Sequence, residues 1–143
     1  MANVISRLLD IYLDTVGPYL DILELPGDDY AGQTPLISPR MFDQLFKTPW
    51  RKLIDQVKEA APQCKVLFHS DGFMEPFLGR LIDLGVDAFH PLEPLPGVNM
   101  AQIEHDYGDR LCFWGAVDIK QAIQGDVARV EAEVRERIRV LGP

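Results

Sequence analysis

Basic charge is scarce in this chain, and long apolar runs are absent. Only 14 Lys and Arg stand against 22 Asp and Glu, a net charge of −8. Such a balance repels phosphate backbones, and 129–139 is a mixed-sign helix face instead of a basic stripe, which excludes the usual nucleic-acid partner. No stretch approaches the roughly 20 apolar residues that span a bilayer. Residues 1–13 read as an amphipathic helix without a basic start or a small-residue cleavage site, so the expected location is cytoplasmic, with no membrane partner. Cysteine is sparse too. Cys64 and Cys112 lie far apart in apolar, strand-like surroundings with no Cys neighbour at metal-binding spacing, and both are expected as buried reduced thiols. No G-x-G-x-x-G, P-loop, C-x-x-C or G-x-S-x-G is present, which removes the commoner nucleotide, redox and hydrolase readings.

What remains is ordinary globular material. A chain of 143 residues with 47% hydrophobic side chains is one domain's worth, 1–143, able to bury roughly two thirds of its unfolded surface. After an opening helix over 4–16, four units each read as an apolar strand, a polar or Gly/Pro-containing loop, and a helix. The strands are expected at 20–25 ("LDILEL"), 65–68, 86–89 ("VDAF") and 110–114 ("RLCFW"). Strand–helix alternation is the signature of an α/β fold with a parallel sheet, here either a doubly wound sheet or part of a (β/α)8 barrel. Ser38-Pro39 and Thr48-Pro49 each pair a capping hydroxyl with a proline suited to the first helical turn. Asn99 with Gln102 fits a capping box, and Gly85 and Gly108 stand where helices should stop. Val127, Val130, Val134, Ile138 and Leu141 form one stripe at helical spacing, so the last helix should pack by that face.

In either parallel architecture the working edge lies at the carboxyl ends of the strands, and there the sequence is acidic. The first strand leads into "PGDDYAGQ" with Asp28 and Asp29, the second into "HSDG" with His69 and Asp71, the third into "HPLEP" with His90 and Glu93, and the fourth into "GAVD" with Asp118. His69 and Asp71 are two apart, so on an extended chain they project to one side. Three roles are open to them: Asp71 capping the next helix while His69 bonds across strand ends, a shared metal, or a general acid–base pair. Tyr30 and Gln33 could hydrogen-bond a polar substrate, whereas Ser38 reads as a cap. His90 could equally be structural, His105 a surface residue, and Trp50 and Trp114 core or pocket walls.

Taken in order, "LDILELPGDDYAGQTPLISPRMFDQLFKTPWRKLID", "VLFHSDG", "LIDLGVDAFHPLEP" and "YGDRLCFWGAVD" resemble the uroporphyrinogen decarboxylase superfamily, from about Leu8 to Pro143. That superfamily contains tetrapyrrole decarboxylases (lyases of porphyrin biosynthesis) and zinc-dependent corrinoid or coenzyme methyltransferases. The resemblance implies the later half of a TIM barrel, about four parallel strands with their helices. Asp29 stands where the decarboxylases place a substrate-contacting serine, and Ala31-Gly32 match the end of that loop motif. His69-Ser70-Asp71-Gly72 matches the methyltransferases' H-x-C-G zinc motif with Asp71 in place of the cysteine. The implied activity is metal-assisted methyl transfer, with Asp29, His69 and Asp71 as catalytic candidates and zinc on His69 and Asp71. Asp28, Tyr30, Gln33, His90, Glu93 and Asp118 are the expected substrate contacts. A tetrapyrrole decarboxylase is the alternative activity, and a non-catalytic half-barrel the alternative class. The expected partners are a small molecule (tetrapyrrole, corrinoid or methyl donor) and a second copy of the chain in a homodimer or larger oligomer, because half a barrel leaves strand edges open.

Overall fold

The structure, a computed structural model, describes residues 2–26, 30–122 and 124–142. In chain order the elements are α1 (Ala2–Val16), a 3-10 turn (Gly17–Tyr19), β1 (Ile22–Pro26), α2 (Pro39–Leu45), α3 (Lys47–Ala60), β2 (Lys65–His69) and α4 (Glu75–Leu84). Then come β3 (Ala88–His90), α5 (Met100–Tyr107), β4 (Cys112–Phe113), α6 (Ile119–Ala122) and α7 (Val127–Leu141). The four strands pair in the order β1-β2-β3-β4, every pair parallel. Sequential parallel order with intervening helices is how a (β/α)8 barrel is built, and this chain forms an arc of one.

Three strands begin about two residues later than the sequence suggested. In each case the preceding turn still holds the backbone. Leu20 N–H donates to Gly17 O, Val86 N–H to Leu81 O and Leu111 N–H to Tyr107 O, so these residues finish a helix before any ladder can start. Gly85 ends α4 in the left-handed conformation at φ 92°, as its position predicted. Ser38 caps α2 by accepting from Met41 N–H. The expected cap at Thr48 is not used: α3 begins one residue earlier behind Phe46, and Thr48 sits inside its first turn. Asn99 accepts from Gln102 N–H, but the Gln102 side chain turns to Asp106 at 2.8 Å, so only half the capping box forms.

Register divides the sheet into two unlike faces. Leu25, Phe68, Phe89 and Phe113 lie level with one another, and their face meets the helices. Phe68 takes the edge of Trp50 from α3 at 5.0 Å and the face of Tyr30 at 6.3 Å. Phe42, Ile54, Val57, Phe77, Leu78 and Leu81 complete this core. The opposite face carries Ile22, Glu24, Lys65, Leu67, His69, Ala88, His90 and Cys112. Ile22 is 49% exposed, and Glu24, Lys65 and Cys112 are exposed, so this face, the interior of a closed barrel, stands largely open, although Leu67 at its middle is buried. Cys112 therefore departs from the buried thiol expected, while Cys64 is buried as expected.

α7 also departs from expectation. It touches α5 and α6, and no described residue in it is fully buried. Val127 is 83% and Ile138 66% exposed, with Val130 and Leu141 partly covered. A helix at the end of the arc has a neighbour on one side only, so half its apolar stripe stays bare.

Candidate functional site

The carboxyl ends of the strands form a rim. Pro26, His69 and His90 are level there, each the last residue of its strand. The loops beyond are tied to one another. Ser70, fully buried, donates its N–H to His90 O at 3.0 Å and accepts Tyr30 N–H on Oγ at 3.3 Å, linking three strand ends. Phe73 N–H donates to Gly32 O at 2.8 Å. Gly72 makes this approach possible: at φ 90°, a Cβ there would sit 2.4 Å from Ala31 O and 2.7 Å from Gly32 O.

These loops enclose an open cleft of about 690 Å³. Gln33, Asp71, Glu93, Asp118 and Lys120 supply its polar lining, and Leu92, Pro94 and Val117 are among its apolar walls. Four sequence candidates from four different loops thus share one space. Glu93 is already engaged. One carboxylate oxygen accepts Gly72 N–H at 2.7 Å, and the other lies 3.7 Å from Lys120 Nζ. Asp118 accepts Lys120 N–H at 3.0 Å and so starts α6, while its own N–H donates to Glu133 of α7 at 3.3 Å. The Arg137 guanidinium beside Glu133 holds that carboxyl below its ordinary value despite partial burial.

Other candidates fall elsewhere. Tyr30 is buried among Phe42, Phe46 and Phe68, with its hydroxyl accepting from Trp50 Nε1 at 2.9 Å, so it belongs to the core and not to the cleft. Asp71 does not cap α4, whose N-cap is Met74 without a side-chain bond; it is exposed and faces the cleft. His69 is not part of the cleft wall. Its Nδ1 lies 2.9 Å from Nδ1 of His90 instead. β2 ends at His69 and the chain turns at Gly72, so Asp71 reaches the cleft from the turn while His69 stands at the strand end beside His90. Trp114 is 54% exposed and meets the His90 ring edge-on at 6.1 Å. His105 is an exposed α5 residue beside Asp106, as expected. Asp28 and Asp29 lie outside the described residues.

Lys120 was missed by the sequence reading. Its signal was there: a lone cation two residues beyond an acidic strand end. Ala116, buried against the cleft with φ 71°, is a second omission, since nothing in its identity announces a left-handed backbone.

The family model for uroporphyrinogen decarboxylase (URO-D) matches residues 5–142. The chain belongs to the URO-D family. Among solved structures it is similar to a methyltransferase from Methanosarcina mazei, with a TM-score of 0.72 and 22% identity. The match covers 94% of this chain and 38% of that one, so the chain spans less than two fifths of its neighbour's length. No match was found among curated proteins. At this identity the neighbour establishes the fold, a URO-D-family barrel segment of four parallel strands. No helix among the described residues is long and apolar enough to cross a membrane.

The zinc implied by the H-x-D-G motif can be weighed against these donors. An imidazole nitrogen and a carboxylate oxygen are both ordinary zinc donors, and Asp71, exposed at the rim, is accessible. With His69 Nδ1 turned to His90, Nε2 is the nitrogen left for a metal. Oxygen in place of thiolate makes the set harder than that of a His-Cys site.

Proposed function

We propose that this URO-D-family segment supplies part of the active-site rim of a methyltransferase-type enzyme, acting on a small molecule held in the Asp71–Glu93–Asp118 cleft. The observation that carries the proposal is the convergence of those three carboxylates and Lys120, from three strand-end loops, on one cleft beside the histidine pair. His69 Nε2 and the Asp71 carboxylate would hold zinc. When bound, zinc supplies Lewis-acid activation of a thiol or corrinoid methyl partner. Glu93 orients the site by fixing Gly72 N–H, and hence the backbone that carries Asp71. Lys120 offsets the acidic lining and offers a donor to an anionic group of the substrate. Leu92, Pro94 and Val117 exclude water from one side.

Zinc content by elemental analysis, together with spectroscopic demethylation of methylcobalamin in the presence of a thiol, tests the proposal. Zinc near one equivalent, lost in both His69→Ala and Asp71→Ala, supports it. Zinc unchanged in both variants refutes the metal assignment, and no methylcobalamin turnover by an assembled barrel refutes methyl transfer.

The acid-lined cleft also favours a second reading, tetrapyrrole decarboxylation, in which carboxylates accept pyrrole N–H groups without any cofactor. Tetrapyrrole binding that is independent of zinc and weakened in Asp71→Ala selects it. A homodimer is part of the same proposal, because β1 and β4 are the outer strands and the interior face is open. Light scattering at micromolar concentration should give twice the chain mass; the mass of one chain refutes it.

A further inference from the structure

His69 and His90 occupy matched places in adjacent parallel strands. Matched residues of paired strands project from the same face with their backbones roughly 4.8 Å apart, so two rings there must lie side by side. The ring centroids are 5.1 Å apart, the planes are tilted by 30°, and Nδ1 faces Nδ1 at 2.9 Å. The arrangement is braced. Ser70 N–H donates to the His90 carbonyl, the Trp114 ring stands edge-on beyond His90, and Gly115 passes so close that a Cβ there would lie 3.4 Å from His90 Cδ2.

A neutral imidazole carries one N–H and one bare nitrogen. At hydrogen-bond distance two bare Nδ1 atoms repel, and two protonated ones place hydrogen against hydrogen. Only the mixed arrangement is attractive, with one Nδ1–H donating to the other Nδ1. That arrangement decides the far side of each ring as well. The donor ring has its proton on Nδ1 and a bare Nε2. The acceptor ring must carry its proton on Nε2.

We propose that His69 and His90 work as one donor–acceptor unit, locked in opposite tautomers by the Nδ1···Nδ1 contact, with one basic Nε2 and one Nε2–H. In this unit each histidine is a positioning residue for the other. A single neutral histidine averages between tautomers independently of any other ring, whereas in the pair one Nε2 is bare whenever the other carries a proton, and the pair gains no charge. The chemistry it suits is an acidic X–H next to an acceptor, of which a carboxylic acid is the simplest case and a thiol beside a carbonyl another. The inference needs neither the metal nor the cleft's substrate; it meets the methyl-transfer reading at one atom, because zinc on His69 Nε2 requires His69 to be the donor ring.

The chain has three histidines, so ring resonances are few. The test is a long-range proton–nitrogen correlation spectrum of the nitrogen-15-labelled full chain. It is recorded at about pH 8, above the ordinary imidazole value of about 6.5. One of the two rings should show a protonated Nδ1 with a bare Nε2, the other the reverse, with a scalar coupling across the Nδ1–H···Nδ1 bond. In His90→Phe, which keeps an aromatic ring against Trp114, His69 should return to the averaged pattern of free histidine. His69→Phe should do the same for His90. The same tautomer on both rings of the wild-type chain, or averaged patterns without coupling, overturns the proposal, as does His69 keeping its fixed tautomer in His90→Phe. Should neither variant fold, the wild-type coupling decides, its presence supporting the unit and its absence refuting it.

Discussion

Replacing Gly72 by alanine tests the idea that the rim depends on two loops pressed together at backbone level. The added Cβ would fall 2.4 Å from Ala31 O, 2.5 Å from Ala31 C and 2.7 Å from Gly32 O, all backbone atoms that have no rotamer to escape into. The residue also sits at φ 90°, where an L side chain costs roughly 1–2 kcal/mol. Forcing extra volume into a packed contact adds about 1–3 kcal/mol, so the total expected loss is about 2–5 kcal/mol. Relief requires the two loops to part. That would lengthen the Gly72 N–H bond to Glu93 and the Phe73 N–H bond to Gly32, and so disturb the cleft. With a urea m-value of about 2 kcal/mol per molar, the unfolding midpoint should drop by about 1–2.5 M. Gly32→Ala is the control: a Cβ there meets nothing within 4 Å, so its midpoint should stay within roughly 0.3 M of wild type, a surface-substitution effect. Equal midpoints for the two variants would show that the loops are not in contact and would refute the reasoning.

At the other end of the sheet, Asp87 is half-buried and accepts from Val66 N–H at 2.8 Å and from Lys58, with Lys65 at 3.6 Å. Burial pushes its carboxyl up, but the Lys58 ammonium, Val66 N–H and Lys65 together outweigh that and hold it below its ordinary value. Its contribution is therefore complete above the unfolded carboxylate value of about 4 and is lost as pH falls through the lower folded value. Asp87→Asn should cost about 1–3 kcal/mol at neutral pH in denaturant melts, with the gap from wild type closing in acid; a gap that widens in acid contradicts the assignment. Of the two thiols, Cys112 is exposed and Cys64 is buried with its pKa raised by that burial. A chromogenic disulfide reagent should therefore titrate two equivalents in denaturant but no more than one, from Cys112, in the native protein, and two fast native equivalents would refute the packing around Cys64. Ala116 holds φ 71°, so Ala116→Gly should stabilise the chain by up to about 1 kcal/mol; a loss of stability would show that its methyl group packs better than its backbone suffers.

The alternation of strands and helices, the end of α4 at Gly85, the Ser38 cap and the gathering of acidic residues at strand ends were all legible in the order of residues. These are local matters, governed by spacing and by the backbone preferences of single residues. Which candidates meet depends on packing between distant segments. Tyr30 reads as polar in its loop, yet a nearby cluster of Phe rings and Trp50 offers it a buried hydrogen bond, and that took it out of the site. His69 and Asp71 are neighbours in sequence, whereas the contact of His69 with His90 spans 21 residues and arises only from pairing across the sheet. The exposure of Cys112 and of the α7 stripe was likewise beyond local reading. Spacing tells which residues share a face, and only the assembled sheet tells whether anything covers it.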